Sequence, residues 1–333
     1  MKAPRPAQIL LWPLSLVYGA IAYSRAWLYQ HRVLPQRRLK GVVISVGNLT
    51  VGGTGKTPLV IWLAERFLAE GRRVAILSRG YRGVNGTSDE IRVMRDHLQG
   101  RVLFGVAKNR FAEGKRLEAQ AVDIFLLDDG FQHLQLGRDV DIVLIDATRP
   151  LHDEFLLPAG RLREPTSAVN RADVVLFTRT NHTPLTLRAM QHVQEFPIFA
   201  AKTKLVGFRR YGSDGLMSLL PEESVGPFYA FCGIGNTEAF LRDLQKWGVP
   251  LTGHSEFRDH HQYSPADTRS LEGAAAKAGA RALVTTEKDA QNFGSACFAM
   301  PVYLAVISLE IPDEEAFLSL VKSKLPGPFG EAA

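Results

Sequence analysis

Cysteine is scarce: Cys232 and Cys297 are the two in 333 residues, far apart and each in apolar surroundings. They provide neither metal-ligand spacing nor a disulfide framework, which excludes a zinc module and a stapled secreted domain. Both read as buried and reduced, as in a cytoplasmic protein. Internal repeats and low-complexity tracts are lacking too, which excludes a solenoid and a disordered chain. Charge is missing from one long stretch, Pro6 to Ser24, between Arg5 and Arg25.

The chain does have apolar content for a full core, at 46% hydrophobic residues. Its length suits one large α/β domain or two of ordinary size. The net charge of +6 suits an acidic partner: nucleic acid, anionic lipid or a phosphorylated substrate. Lys2, Arg5, Arg25, Arg32, Arg37, Arg38 and Lys40 flank the uncharged run, which points to a membrane surface rather than to nucleic acid. That run approaches the ~20 residues needed to cross a bilayer. Trp12, Tyr18, Tyr23, Trp27 and Tyr29 supply rings of the kind that settle at headgroup level. Three readings compete. Ala20-Ile21-Ala22 mimics a signal-peptide cleavage site, and a core helix is the plain alternative. A nucleotide-binding motif soon after argues against export and favours a retained anchor with a basic collar, residues 1–40. Pro13 and the marginal length leave open whether it spans the bilayer or lies in the interface. The run precedes the first strand and need not contribute to the core.

Beyond it, strands and helices alternate. Val42–Val46, Val74–Leu77, Val102–Val106, Ile124–Leu127, Ile142–Ile145 and Val174–Phe177 read as strands, and Pro58–Glu70 as a helix ended by Gly71. Short apolar runs between helical patterns predict a mostly parallel sheet of P-loop NTPase type, residues 41–212. A second, smaller α/β lobe is predicted over 213–333. Its strands are Phe228–Cys232, Ala282–Thr285 and Val302–Ile307, and its helices Thr237–Trp247, Ser264–Ala278 and Pro312–Leu325. The Gly212-Ser213-Asp214-Gly215 turn and the Pro221/Pro227 region mark the joint.

Thr50-Val51-Gly52-Gly53-Thr54-Gly55-Lys56-Thr57 lies between the first strand and the first helix of the sheet. A glycine-rich turn there aims backbone N–H groups and the helix dipole at one spot, a phosphate site. Lys56 would reach the β- and γ-phosphates of ATP and the Thr57 hydroxyl would ligate Mg²⁺. Thr50 occupies the place of the usual first glycine. Partitioning-type ATPases carry a lysine before the paired glycines, where this chain has Val51. That weighs against a membrane-bound nucleotide switch, the competing non-catalytic reading.

Asp128-Asp129-Gly130-Phe131-Gln132-His133 follows a strand, where carboxylates reach the ligand crevice of an open sheet and can hold Mg²⁺. Read alone, Asp-Asp-Gly is a turn. Asp89-Glu90 and Asp259-His260-His261 are candidates for taking a proton from an acceptor hydroxyl, and each alone also reads as a solvated loop.

Taken in order, Val46–Pro58, Ser78-Arg79-Gly80-Tyr81, Asp128–His133, Leu157–Pro165, Asp259-His260 and Thr285-Thr286-Glu287-Lys288-Asp289 resemble the tetraacyldisaccharide 4′-kinases, the lipid A 4′-kinases of Gram-negative bacteria. The resemblance implies ATP-dependent phosphorylation of the 4′-hydroxyl of a tetraacylated glucosamine disaccharide 1-phosphate, at the cytoplasmic face of the inner membrane. It further implies an N-terminal membrane helix and two α/β lobes with the site between them. Asp89 and His260 would form a base dyad, with His261 the alternative, and Asp128 and Asp129 would lie next to Mg²⁺. Ser88 stands where that family usually has glycine. A P-loop kinase for another lipid-linked sugar is the alternative enzyme.

Overall fold

The computed structural model describes residues 6–80, 88–213, 216–217 and 226–327. Lys2 and Arg5 of the basic collar, Tyr81 of the Ser-Arg-Gly-Tyr motif, and Asp214, Gly215 and Pro221 of the expected joint lie outside the described residues. The chain begins with α1 (Pro6–Gln30), β1 (Val42–Asn48), α2 (Lys56–Ala69), β2 (Val74–Ser78), α3 (Asp89–Leu98), β3 (Leu103–Val106) and α4 (Arg110–Leu117). It continues with β4 (Ile124–Asp128), β5 (Val140–Asp146), β6 (Val174–Thr178), α5 (Leu187–Met190), β7 (Ile198–Ala200), β8 (Lys202–Arg210) and β9 (Leu216–Met217). Last come β10 (Phe228–Cys232), α6 (Thr237–Lys246), β11 (Leu251–Glu256), α7 (Pro265–Lys277), β12 (Ala282–Thr286), α8 (Glu287–Ala290), β13 (Val302–Glu310) and α9 (Glu314–Ser323).

These elements form two compact units. The first holds residues 1–82, 98–202 and 310–333. Its seven strands run parallel in the order β3-β2-β4-β1-β5-β6-β7. Every residue of β1 is buried, as a central strand covered on both faces requires. Gly55, at φ 85°, turns the chain into α2, which buries Leu59 through Ala64 and Phe67. Parallel register sets Val46 beside Asp128, so the β1 loop and the β4 carboxylates leave the sheet at the same edge.

The second unit holds residues 83–97 and 203–309, with strand order β11-β10-β12-β13-β8-β9. Its β10, β11, β12 and β13 pair in parallel, and β8 with β9 antiparallel. The capping box of Ser264 and Asp267, with Pro265 in the first turn, starts α7.

This division differs from the contiguous lobes 41–212 and 213–333. Asp89, Arg92 and His97 of α3 bond to His260, Asn292 and Glu287, which draws that helix into the second unit. Conversely, Phe317 of α9 is fully buried against Trp62 and Phe199 of the first.

Helix α1 is the expected apolar helix, with one narrow face laid on its own unit. Ser15, Gly19 and Ala26 are buried, while Ile9, Leu10, Trp12, Leu14, Val17 and Ile21 are each at least half exposed. Small side chains on one face let the helix dock on its own unit: the Ser15 hydroxyl donates to the Leu156 carbonyl (3.0 Å) and accepts from the Ala159 N–H (3.0 Å). Tyr18 donates to the Arg163 carbonyl at 3.0 Å and Arg25 to that of Gln132 at 3.1 Å. The run therefore does pack on the body, through its narrow side.

Candidate functional site

In the first unit the loop after β1 is pinned from outside. Thr50 bridges Leu162 in antiparallel fashion, the Val51 N–H donates to the Arg161 carbonyl (2.8 Å) and the Arg163 N–H to that of Leu49 (2.7 Å). Thr50 is thus held in an isolated antiparallel bridge and is not among the positive-φ residues, so a threonine serves there in place of glycine. Positive φ is confined to Gly52 (108°) and Gly55 (85°), where side chains would be strained. Further along, Thr178 donates to the Thr54 carbonyl (2.9 Å), and Arg179, paired with Asp146, donates to that of Gly53 (2.9 Å).

Lys56 opens α2 and donates to Asn48 Oδ1 at 3.0 Å, with Asp129 Oδ1 3.4 Å away. Arg163 Nη1 donates to both Asp129 oxygens at 2.8 Å. Burial opposes ionisation of Asp129, but Lys56, Arg163 and Arg110 outweigh it and hold the carboxyl well below the usual range. Asp128, buried at the end of β4, accepts from the Ser78 hydroxyl at 3.1 Å. Burial pushes the Arg110 guanidinium down, against Asp129 and Asp128, and the same arginine helps to push His133 down to about 4 after burial itself. Thr57 is half-buried in the first turn of α2, and the buried Thr54 hydroxyl has no hydrogen-bond partner among the described residues. Thr50 through Thr57, Asp128 and Asp129 thus gather at one edge of one sheet.

In the second unit Asp89 begins α3 and is 3% exposed, so it is no solvated loop residue. His260 Nδ1 donates to its two oxygens at 2.8 and 3.1 Å. Because a carboxylate only accepts, this bond fixes the proton on Nδ1 and leaves Nε2 basic. Asn292 donates to Asp89 at 3.2 Å and the Glu90 N–H does so at 3.1 Å. Burial opposes the charge on Asp89, but the bonds from His260 and Glu90 and the charge of Lys288 hold it far down. The Asp89 bond raises His260, against burial and Lys288. His260 sits at φ 62° with its N–H on the Gly233 carbonyl (3.1 Å). His261 turns the other way, to Asp267 at 3.2 Å and onto the Phe257 ring.

Several of these residues drew no role from the sequence. Arg163 and Lys288 stand inside quoted motifs, and Asn48 adjoins the loop. Arg110, Arg179 and Asn292 lie outside every motif, and only folding brings them in.

A family profile described as "Tetraacyldisaccharide-1-P 4'-kinase" matches residues 7–326. The tetraacyldisaccharide 4'-kinase of Desulfotalea psychrophila is 36% identical over 318 residues, covering 88% of this chain and 90% of its own. That of Geobacter metallireducens is 36% identical over 331 residues, covering 91% and 94%. The crystal structure of LpxK from Aquifex aeolicus in complex with ATP is similar at a TM-score of 0.76 and 29% identity, over 95% of this chain and 99% of that one. The chain belongs to the tetraacyldisaccharide-1-P 4'-kinase family.

Proposed function

We propose that this protein transfers the γ-phosphoryl group of ATP to the 4′-hydroxyl of a tetraacylated glucosamine disaccharide 1-phosphate, a step of lipid A and hence lipopolysaccharide biosynthesis. The observation that carries the reading is Lys56 held between Asn48 and Asp129 above a glycine-rich turn, in a chain of this family. Backbone N–H groups of residues 52–57 and the N-terminus of α2 cradle the phosphates, and Lys56 exchanges its present acceptors for phosphate oxygens.

Mg²⁺ fits the donor set: two carboxylates, Asp128 and Asp129, and the Thr57 hydroxyl are hard oxygen ligands of the kind it takes. When bound it offsets charge on the phosphates. Arg163 and Lys56 keep Asp129 ionised for that task. His260 Nε2 accepts the proton of the attacking hydroxyl, and Asp89 stabilises the imidazolium that results.

The acceptor's acyl chains belong in lipid and its hydroxyl must meet a soluble nucleotide. Helix α1 suits that encounter: an 18-residue window within Gln8–Gln30 reaches a mean hydropathy of 1.2, and its large apolar side chains face outward rather than into a core. We place it at the cytoplasmic face of the inner membrane, with the basic residues from Arg25 to Lys40 over anionic headgroups. The test is turnover of labelled ATP with and without the acylated disaccharide. Acceptor-dependent transfer is expected; hydrolysis stimulated only by a protein partner would point instead to a nucleotide switch.

A further inference from the structure

Lys288 lies between two buried carboxylates of α8, and both are pinned. Glu287 accepts from Arg209 at 3.1 Å and meets His97 Nε2 at 2.9 Å. Asp289, 1% exposed, accepts on one oxygen from the Gly233 N–H (2.7 Å) and the Tyr263 hydroxyl (2.8 Å), and on the other from the Thr286 hydroxyl (2.6 Å). Thr286 caps the helix in return, accepting from the Asp289 N–H at 3.1 Å. Turning this segment would strand several buried polar groups, so the root of the lysine is fixed.

The Lys288 ammonium lies 3.0 Å from Glu90, 3.2 Å from Asp259 and 3.8 Å from Asp89. Among the described residues, the charged groups around the His260 imidazole are Asp89 and Glu90 from α3, Asp259 from its own loop and Lys288 from α8. Asp89, Glu90 and His260 also bring one ligand atom each within 4.8 Å of one another, the spread of a small cation site. Three carboxylates alone would hold the imidazole protonated and unable to take a proton.

The geometry points to Lys288 as a built-in counter-ion, a positioning residue that takes the place of a metal ion among Asp89, Glu90 and Asp259 and keeps His260 available as a base. This rests on reading His260 as the base. Lys288 acts through charge: the ammonium disfavours imidazolium, while the Asp89 bond favours it. An ammonium suits the task because it cannot be lost to chelators or exchanged with the medium.

The test follows the His260 titration by NMR in the full chain, together with kcat from about pH 5.5 to about 9.5, for wild type, Lys288→Met and Lys288→Arg. In Lys288→Met the His260 midpoint is expected to rise, since a like charge is removed from the cluster of carboxylates around the imidazole. The acid limb of kcat should move with it, so that turnover drops roughly tenfold on the acid side and recovers in alkali. Lys288→Arg should hold both near wild type. A merely structural lesion would lower kcat at every pH without moving the limb. An unchanged or lowered midpoint in a folded Lys288→Met overturns the proposal; should that variant not fold, Lys288→Gln is judged by the same criterion. A raised midpoint with an unmoved acid limb would uphold Lys288 as counter-ion and remove His260 from the base assignment.

Discussion

Lys56 has one neutral acceptor at 3.0 Å and one charged group at 3.4 Å, which aim its ammonium without consuming its charge. Asp129 keeps Arg163 when the lysine is gone, so Lys56→Ala should fold normally yet lose about 10³-fold in turnover. Thermal unfolding beside steady-state kinetics checks this, and near-normal turnover in the folded variant would refute the loop assignment. Asp89 and His260 are hydrogen-bonded and on the proposed mechanism act in one step, so the double alanine variant should be little slower than the worse single one. Fully multiplicative losses would mean independent roles. His133 titrates for a different reason. Burial and four arginines push it down to about 4 from its ordinary 6.5, so the unfolded chain binds a proton that the folded chain refuses between those values. Its contribution to stability is full above pH 6.5 and disappears as pH falls towards 4. Asp89 and Asp129, held below the ordinary carboxylate range, lose their contribution only below about pH 4. Urea midpoints at about pH 5 and pH 7.5 should therefore differ in wild type and differ less in His133→Asn.

Elements buried on both faces were the legible ones. Val42–Val46, Phe228–Cys232 and Ala282–Thr285 read as strands because each is a mainly apolar or β-branched run. Leu251–Glu256 was missed because it is an edge strand alternating half-buried and exposed residues, with a histidine, a serine and a glutamate among its six. Helix α3 was missed although Ile91, Met94 and Leu98 are fully buried at helical spacing, because charged side chains stand between them in a short segment. Helix α1 was legible as apolar but not as docked, since Ser15 and Tyr18 find their partners more than 140 residues away. The loop that they meet runs on to Arg163, the residue that grips Asp129. Tyr18→Phe is expected to weaken nucleotide binding by up to about fivefold, the worth of one hydrogen bond of ~1 kcal/mol. A chain starting at Pro35 should fold, lose flotation with vesicles in high salt, and bind ATP less tightly than the full chain. Calorimetric titration of ATP decides it, and unaltered affinity in both variants would mean that α1 and the Asp129 loop are uncoupled.

At the scale of the molecule, the chain enters and leaves its second unit twice, crossing at 82/83, 97/98, 202/203 and 309/310. Contiguous domains were the natural reading because turn signals mark local breaks, whereas the return of α9 rests on Phe317 meeting Trp62 and Phe199. The phosphate loop was legible because its chemistry is local. The Asp89–His260 pair was not legible from either motif, because 171 positions separate the partners. The central claim is phosphoryl transfer to one hydroxyl of one acylated sugar. It is tested most directly by incubating the full chain with labelled ATP, Mg²⁺ and vesicles that carry the tetraacylated disaccharide 1-phosphate, beside the same acceptor lacking its 4′-hydroxyl. The account predicts one labelled phosphate per acceptor, at the 4′ position, and none on the deoxy compound. Equal labelling of the two acceptors, or labelling of neither under conditions where ATP binds, would contradict it.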